Sequence, residues 1–221
     1  MVSYLTGCTL SWEKARPICI GEWLLRLAST CALMGVDKDD IEQFFLASGD
    51  RKNVFQFGSA IQNGQDILVH KMDSLMHFDG GKDRVALKID GKNAFNSIKR
   101  AFAVNETTKA FPPLHRFLHW LYKHNVLVFN GTSPITAGDG VLQGEGASCI
   151  AFDTGMQSVL LKAGNVNCGM EDFDLHVLAQ RDDVYLVGSP RDVAAAYAIV
   201  LDGMKESRCS LRRATPGRTS C

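Results

Sequence analysis

Two short apolar runs, Leu175-His176-Val177-Leu178-Ala179 and Val184-Tyr185-Leu186-Val187, flank the polar segment Gln180-Arg181-Asp182-Asp183. Their length and β-branched content predict strands, and so short a link lets them pair only as an antiparallel hairpin. Such a hairpin carries two adjacent acids at its tip, which is unfavourable unless something cationic joins them. A hard divalent ion such as Mg2+ takes carboxylate oxygens. Upstream, Val85-Ala86-Leu87-Lys88-Ile89-Asp90 alternates as a strand, with Val85, Leu87 and Ile89 on one face and Ala86, Lys88 and Asp90 on the other. A strand-end aspartate plus an aspartate pair in a later hairpin is one way to build a two-metal phosphoryl-transfer site.

A chain of 221 residues supports one good-sized core or two small subdomains. Its 24 Lys and Arg balance 24 Asp and Glu, so any basic channel for nucleic acid is local rather than global. From Lys205 onward Arg208, Arg212, Arg213 and Arg218 face Glu206 alone, which predicts a basic, disordered tail over 206–221. The seven cysteines are odd in number and contain no CxxC pair, as expected of reduced thiols in an intracellular protein whose compartment stays open. No apolar run reaches the ~18 residues of a membrane span. The N-terminus lacks the order of a secretory signal. The histidines show no ligand spacing and are assigned no role.

Element signals alternate along the chain. Trp23, Leu24, Leu27 and Ala28 recur at helical spacing, and Asp39-Asp40-Ile41 opens a second helix that Gly49 ends. A third helix starts near Asp66, and another follows Pro112-Pro113. Val126-Leu127-Val128-Phe129 before Asn130-Gly131 signals a hairpin. Cys149 to Leu161 predicts a buried helix reached through Gly140-Val141-Leu142-Gln143-Gly144-Glu145-Gly146. Ser189-Pro190 caps a helix running from Arg191 to about Lys205. The order is that of an α+β fold.

Leu87-Lys88-Ile89-Asp90-Gly91-Lys92-Asn93-Ala94-Phe95-Asn96-Ser97-Ile98 resembles the first catalytic motif of reverse transcriptases, closest to the non-LTR retrotransposon type. Gly140-Val141-Leu142-Gln143-Gly144-Glu145 is similar to that family's Gly-Val-x-Gln-Gly-Asp segment. Gln180-Arg181-Asp182-Asp183 followed by Leu186 is similar to its Ala-Asp-Asp-x-x-Leu motif. Lys14-Ala15-Arg16-Pro17-Ile18 with Gly21-Glu22, and Gln56-Phe57-Gly58 with Gly64, have counterparts in its fingers segment. Each motif alone is weak, and four in order are strong.

The resemblance implies a polymerase fingers–palm fold with an antiparallel palm sheet flanked by helices. It implies a fingers-like segment over 1–83 and a palm over 84–205, with the thumb absent. It implies RNA-directed DNA polymerase activity on an RNA template, a DNA primer and dNTPs. Asp90 and Asp182 would ligate two Mg2+ ions, with Asp183 as an outer ligand. Phe95 would lie under the incoming sugar, Gln143 and Gly144 would meet the nascent pair and template, and Lys14 and Arg16 would grip the triphosphate. No membrane and no protein partner is implied. Arg181 stands where a small or aromatic residue is usual, and its guanidinium could compete with metal for the acids. Two readings therefore stand: a nucleotidyltransferase, in a truncated or degenerate copy, or a non-catalytic nucleic-acid-binding remnant of a retroelement polymerase. A palm-like nucleotide cyclase would also use two carboxylates and Mg2+, but gives no reason for Gln143-Gly144 or Arg16-Pro17.

Overall fold

The alternating run at 85–90 and the two short runs within 175–187 become the centre of a five-stranded sheet. The computed structural model describes residues 2–7, 17–46, 53–77, 83–130, 133–208 and 210–211. In chain order the elements are β1 (Val2–Gly7), β2 (Pro17–Gly21), α1 (Trp23–Met34), α2 (Lys38–Leu46), β3 (Val54–Gln56), α3 (Gly64–His77) and β4 (Val85–Lys92). Then come α4 (Ala94–Ser97), α5 (Arg100–Ala110), a 3-10 turn (Pro112–Leu114), α6 (His115–Tyr122), β5 (Val126–Asn130) and β6 (Ser133–Ala137). The last part is α7 (Gly146–Gly164), β7 (Leu175–Gln180), β8 (Asp183–Gly188), α8 (Pro190–Glu206) and β9 (Ser210–Leu211).

The chain divides into two compact units, each built from two stretches: Met1–Asp37 with Asn93–Gly155, and Lys38–Lys92 with Met156–Cys221. The first unit holds a sheet of order β2-β1-β5-β6. Its core packs Cys19, Leu25, Leu121, Val126, Val128 and Leu142 together. The Trp23, Leu24 and Leu27 stripe marks a real helix but faces outward, at 71%, 56% and 54% exposure. Helix α1 instead buries Leu25 and Ser29, because the Ser29 hydroxyl accepts a bond from Ala147 N–H at 3.3 Å and so makes a polar residue compatible with burial.

The second unit holds the sheet β3-β7-β8-β4-β9. The hairpin register pairs Gln180 with Asp183 and Leu175 with Gly188. On one face Leu178 and Tyr185 pack with Phe57 and with Leu68 and Met72 of α3. Away from the hairpin tip, Arg84 donates to both carboxylate oxygens of Asp174 at 2.7 Å, a buried bidentate pair. Gly188 is required here, since a Cβ would stand 2.0 Å from the Asp174 carbonyl. Helix α8 begins as its sequence predicts: Ser189 accepts from Asp192 N–H at 3.2 Å, with Pro190 in the first turn. Ser210 and Leu211, within the stretch predicted to be tail, pair with Lys92 and Gly91. Among the described residues no helix is long and apolar enough to cross a membrane.

Candidate functional site

Asp90 and Asp183 stand together at one end of the second unit's sheet, with Asp182 in the adjoining turn. Strands β4 and β8 are antiparallel, and Asp90 stands directly opposite Asp183. Directly opposed residues project from the same face, about 4.5–5.5 Å apart at Cβ. Asp182 is in the two-residue turn between β7 and β8, and its carbonyl accepts from Gly91 N–H at 3.3 Å. Arg181, the other turn residue, has φ +58°. Lys88 shares the face of Asp90, and its Nζ lies 3.0 Å from Asp183 Oδ1 and 5.4 Å from the centre of the Tyr185 ring. The hydrogen bond to Asp183 raises the Lys88 pKa, outweighing the partial burial that would lower it.

A pair of directly opposed carboxylates can share a cation. In this structure one oxygen of Asp183 is already engaged by the Lys88 ammonium. Among the described residues no group of three or more His, Cys, Asp or Glu gathers to hold a metal ion. The described contacts give a directly opposed carboxylate pair, Asp90 and Asp183, with Lys88 on Asp183.

In the first unit the Gly140–Glu145 segment is fixed by side chains that sequence reasoning did not single out. Arg100 is buried, and its guanidinium donates to the carbonyls of Gly140 at 2.8 Å and of Ala137 and Asp139 at 3.0 Å. Gly140 has φ +72°, and a Cβ there would meet the Asn96 carbonyl at 2.4 Å. Glu145 is buried and caps α7: Oε2 accepts from Ser148 N–H at 2.8 Å and Ser148 Oγ at 2.7 Å, and Oε1 from Ala147 N–H at 3.2 Å. Ser148 Oγ in turn meets the Tyr122 hydroxyl at 2.5 Å, which accepts from Leu142 N–H at 3.0 Å. Burial pushes the Tyr122 hydroxyl pKa up, so it stays neutral. Between these anchors Gln143 is half-buried and its carbonyl accepts from Cys19 N–H at 2.8 Å. Gly144 is exposed at φ +107°, a conformation side chains resist.

Phe95 is 5% exposed, its ring stacked on Phe152 with centroids 4.0 Å apart. Its carbonyl accepts from Val141 N–H at 2.8 Å. Lys14 and Arg16 lie outside the described residues. The clearest signal that was available for Lys88 is its spacing, two residues before Asp90 and hence on the same strand face. Arg100, Tyr122 and Ser148 carry no comparable local signal.

No family model matches the chain, and no curated protein matches it. Solved structures do. Apo telomerase from Candida tropicalis truncated from its C-terminal domain is 11% identical with a TM-score of 0.67, covering 99% of this chain and 51% of that one. Apo telomerase from Candida tropicalis gives 11%, 0.66, 99% and 45%. Telomerase from Candida albicans in complex with the TWJ fragment of telomeric RNA gives 11%, 0.61, 100% and 42%. The chain spans about half or less of the telomerase chains it matches. At this identity the likeness is one of fold alone: a mixed α/β fold shared with part of these telomerase chains.

Proposed function

We propose that this chain is a nucleic-acid-binding domain with a polymerase fold, a non-catalytic relative of retroelement polymerases. The observation that carries the non-catalytic part is the acidic tip, where Lys88 Nζ sits 3.0 Å from Asp183 and no three-member ligand group gathers among the described residues. Nucleic acid as the ligand class is supported by fold: the Candida albicans telomerase of the same fold was solved with an RNA fragment. The ligand is a primer–template duplex with an RNA strand. Residues 84–205 serve as its palm and 1–83 as its fingers. Lys14 and Arg16 contact phosphates, and Gln143 with exposed Gly144 meets the template strand. Phe95 acts through packing on Phe152.

A second reading is RNA-directed DNA polymerisation with dNTPs, with Asp90, Asp182 and Asp183 as Mg2+ ligands. It is favoured by the register that sets Asp90 opposite Asp183. The two readings separate in one assay on the purified chain, with a labelled DNA primer annealed to an RNA template. Fluorescence anisotropy reads binding, and a gel after adding dNTPs and Mg2+ reads extension. Binding without extension is expected. Extension that Asp90→Ala abolishes establishes the second reading, and absence of binding overturns both.

A further inference from the structure

The hairpin tip is held from the β3 side by one buried side chain. Strand β3 runs parallel to β7 with Gln56 opposite Ala179, and Phe57 N–H extends that ladder to the Ala179 carbonyl at 2.7 Å. The Gln56 side chain is 0% exposed. Its Oε1 accepts from Arg181 N–H at 2.9 Å and from Gly58 N–H at 3.0 Å. Its Nε2 donates to the Arg181 carbonyl at a longer 3.5 Å. The carboxamide therefore meets both backbone groups of Arg181, as the peptide of a neighbouring strand would. Arg181 needs such support because its φ of +58° lies in the left-handed region that glycine adopts freely and a residue with a Cβ resists. The next residue is Asp182, held from the other side by Gly91.

We infer that Gln56 is a positioning residue for the acidic tip. Its carboxamide keeps Arg181 in the left-handed conformation and so sets where Asp182 and Asp183 stand relative to Asp90. The inference rests on the second reading above, in which Asp90, Asp182 and Asp183 act together at that tip. Replacing Gln56 by an apolar isostere leaves the Arg181 and Gly58 amides without their acceptor, and the strained turn relaxes.

The test uses Gln56→Met, close in shape and unbranched, and the pair Gln56→Met with Arg181→Gly. Amide hydrogen exchange by NMR should show Arg181 exchanging roughly tenfold faster or more in Gln56→Met, with Val177 and Leu186 unchanged. The melting temperature should fall in Gln56→Met and recover in the double variant, because glycine needs no clamp. A generally destabilised sheet would speed all three amides and would not be rescued at position 181. Unchanged Arg181 exchange in Gln56→Met overturns the inference. If Gln56→Met does not fold, the double variant should, and its failure to do so is equally contrary. Wild-type chain that binds no primer–template would defeat the proposed function and leave the exchange result standing.

Discussion

Asp90 and Asp183 face each other across the β4–β8 pair, with the Lys88 ammonium 3.0 Å from Asp183. Like charges directly opposed on a sheet repel, so Lys88 offsets a cost that the register creates. Lys88→Ala should destabilise the chain by about 1 kcal/mol, the upper end for an ion pair with this much solvent access. Adding Asp90→Asn should recover most of that loss, since it removes the repulsion. Urea denaturation of the four combinations checks it; additive effects would show that the three groups do not interact.

Asp192 supplies a pH dependence at the other end of the same hairpin. Burial alone would raise its carboxyl. Hydrogen bonds from the Asp174 amide, Asn167, Arg191 and Ser189 outweigh burial and hold it well below the usual carboxylate range. A depressed folded-state pKa gives stability that is present above the unfolded value of about 4 and is lost as pH falls toward the folded value. Stability should therefore decline progressively below about pH 4–5, and Asp192→Asn should flatten that decline while lowering stability at neutral pH. Thermal melts across the acid range measure both.

Gln157 is fully buried in α7, and neither of its amide atoms has a hydrogen-bond partner among the described residues. Burying an amide without partners is costly. Gln157→Leu should raise stability by about 1–2 kcal/mol. A loss of similar size in chemical denaturation would show that the amide is satisfied in solution.

Glu145 holds the start of α7 and, through Ser148, the Tyr122 hydroxyl. Glu145→Ala removes the acceptor of the buried Ser148 amide and hydroxyl, so a loss of about 1–3 kcal/mol is expected. Exchange at Leu142, whose amide bonds Tyr122, should quicken with it. An unchanged Leu142 amide would separate the cap from the loop.

The elements that sequence made legible are those with a local signal. Period-two alternation predicted β4, the two short apolar runs around Asp182-Asp183 predicted β7 and β8, and Ser189-Pro190 predicted the α8 start. Helix α1 was legible as a helix, but its inward face was not. Its apolar stripe is outside, and Ser29 is inside on the strength of a bond to Ala147, a partner distant in sequence. Asp90 and the Asp182–Asp183 pair were readable as strand-end acids, and their register became visible only with the β4–β8 pairing. Gln56 carried no signal of its tie to Arg181, because a lone glutamine at a strand end acquires its partner only when β3 docks beside β7. Phe95 could be read either as a sugar-facing ring or as core, and its stack on Phe152 depends on a residue far along the chain.

The claim that this fold serves to bind nucleic acid is tested most directly by the salt dependence of its affinity for an RNA–DNA primer–template. Contacts to phosphate release counterions, so the logarithm of the association constant should fall linearly with the logarithm of salt concentration. The predicted result is measurable binding at low salt with a clear negative slope. Affinity that is absent at low salt, or that does not change with salt, would contradict it.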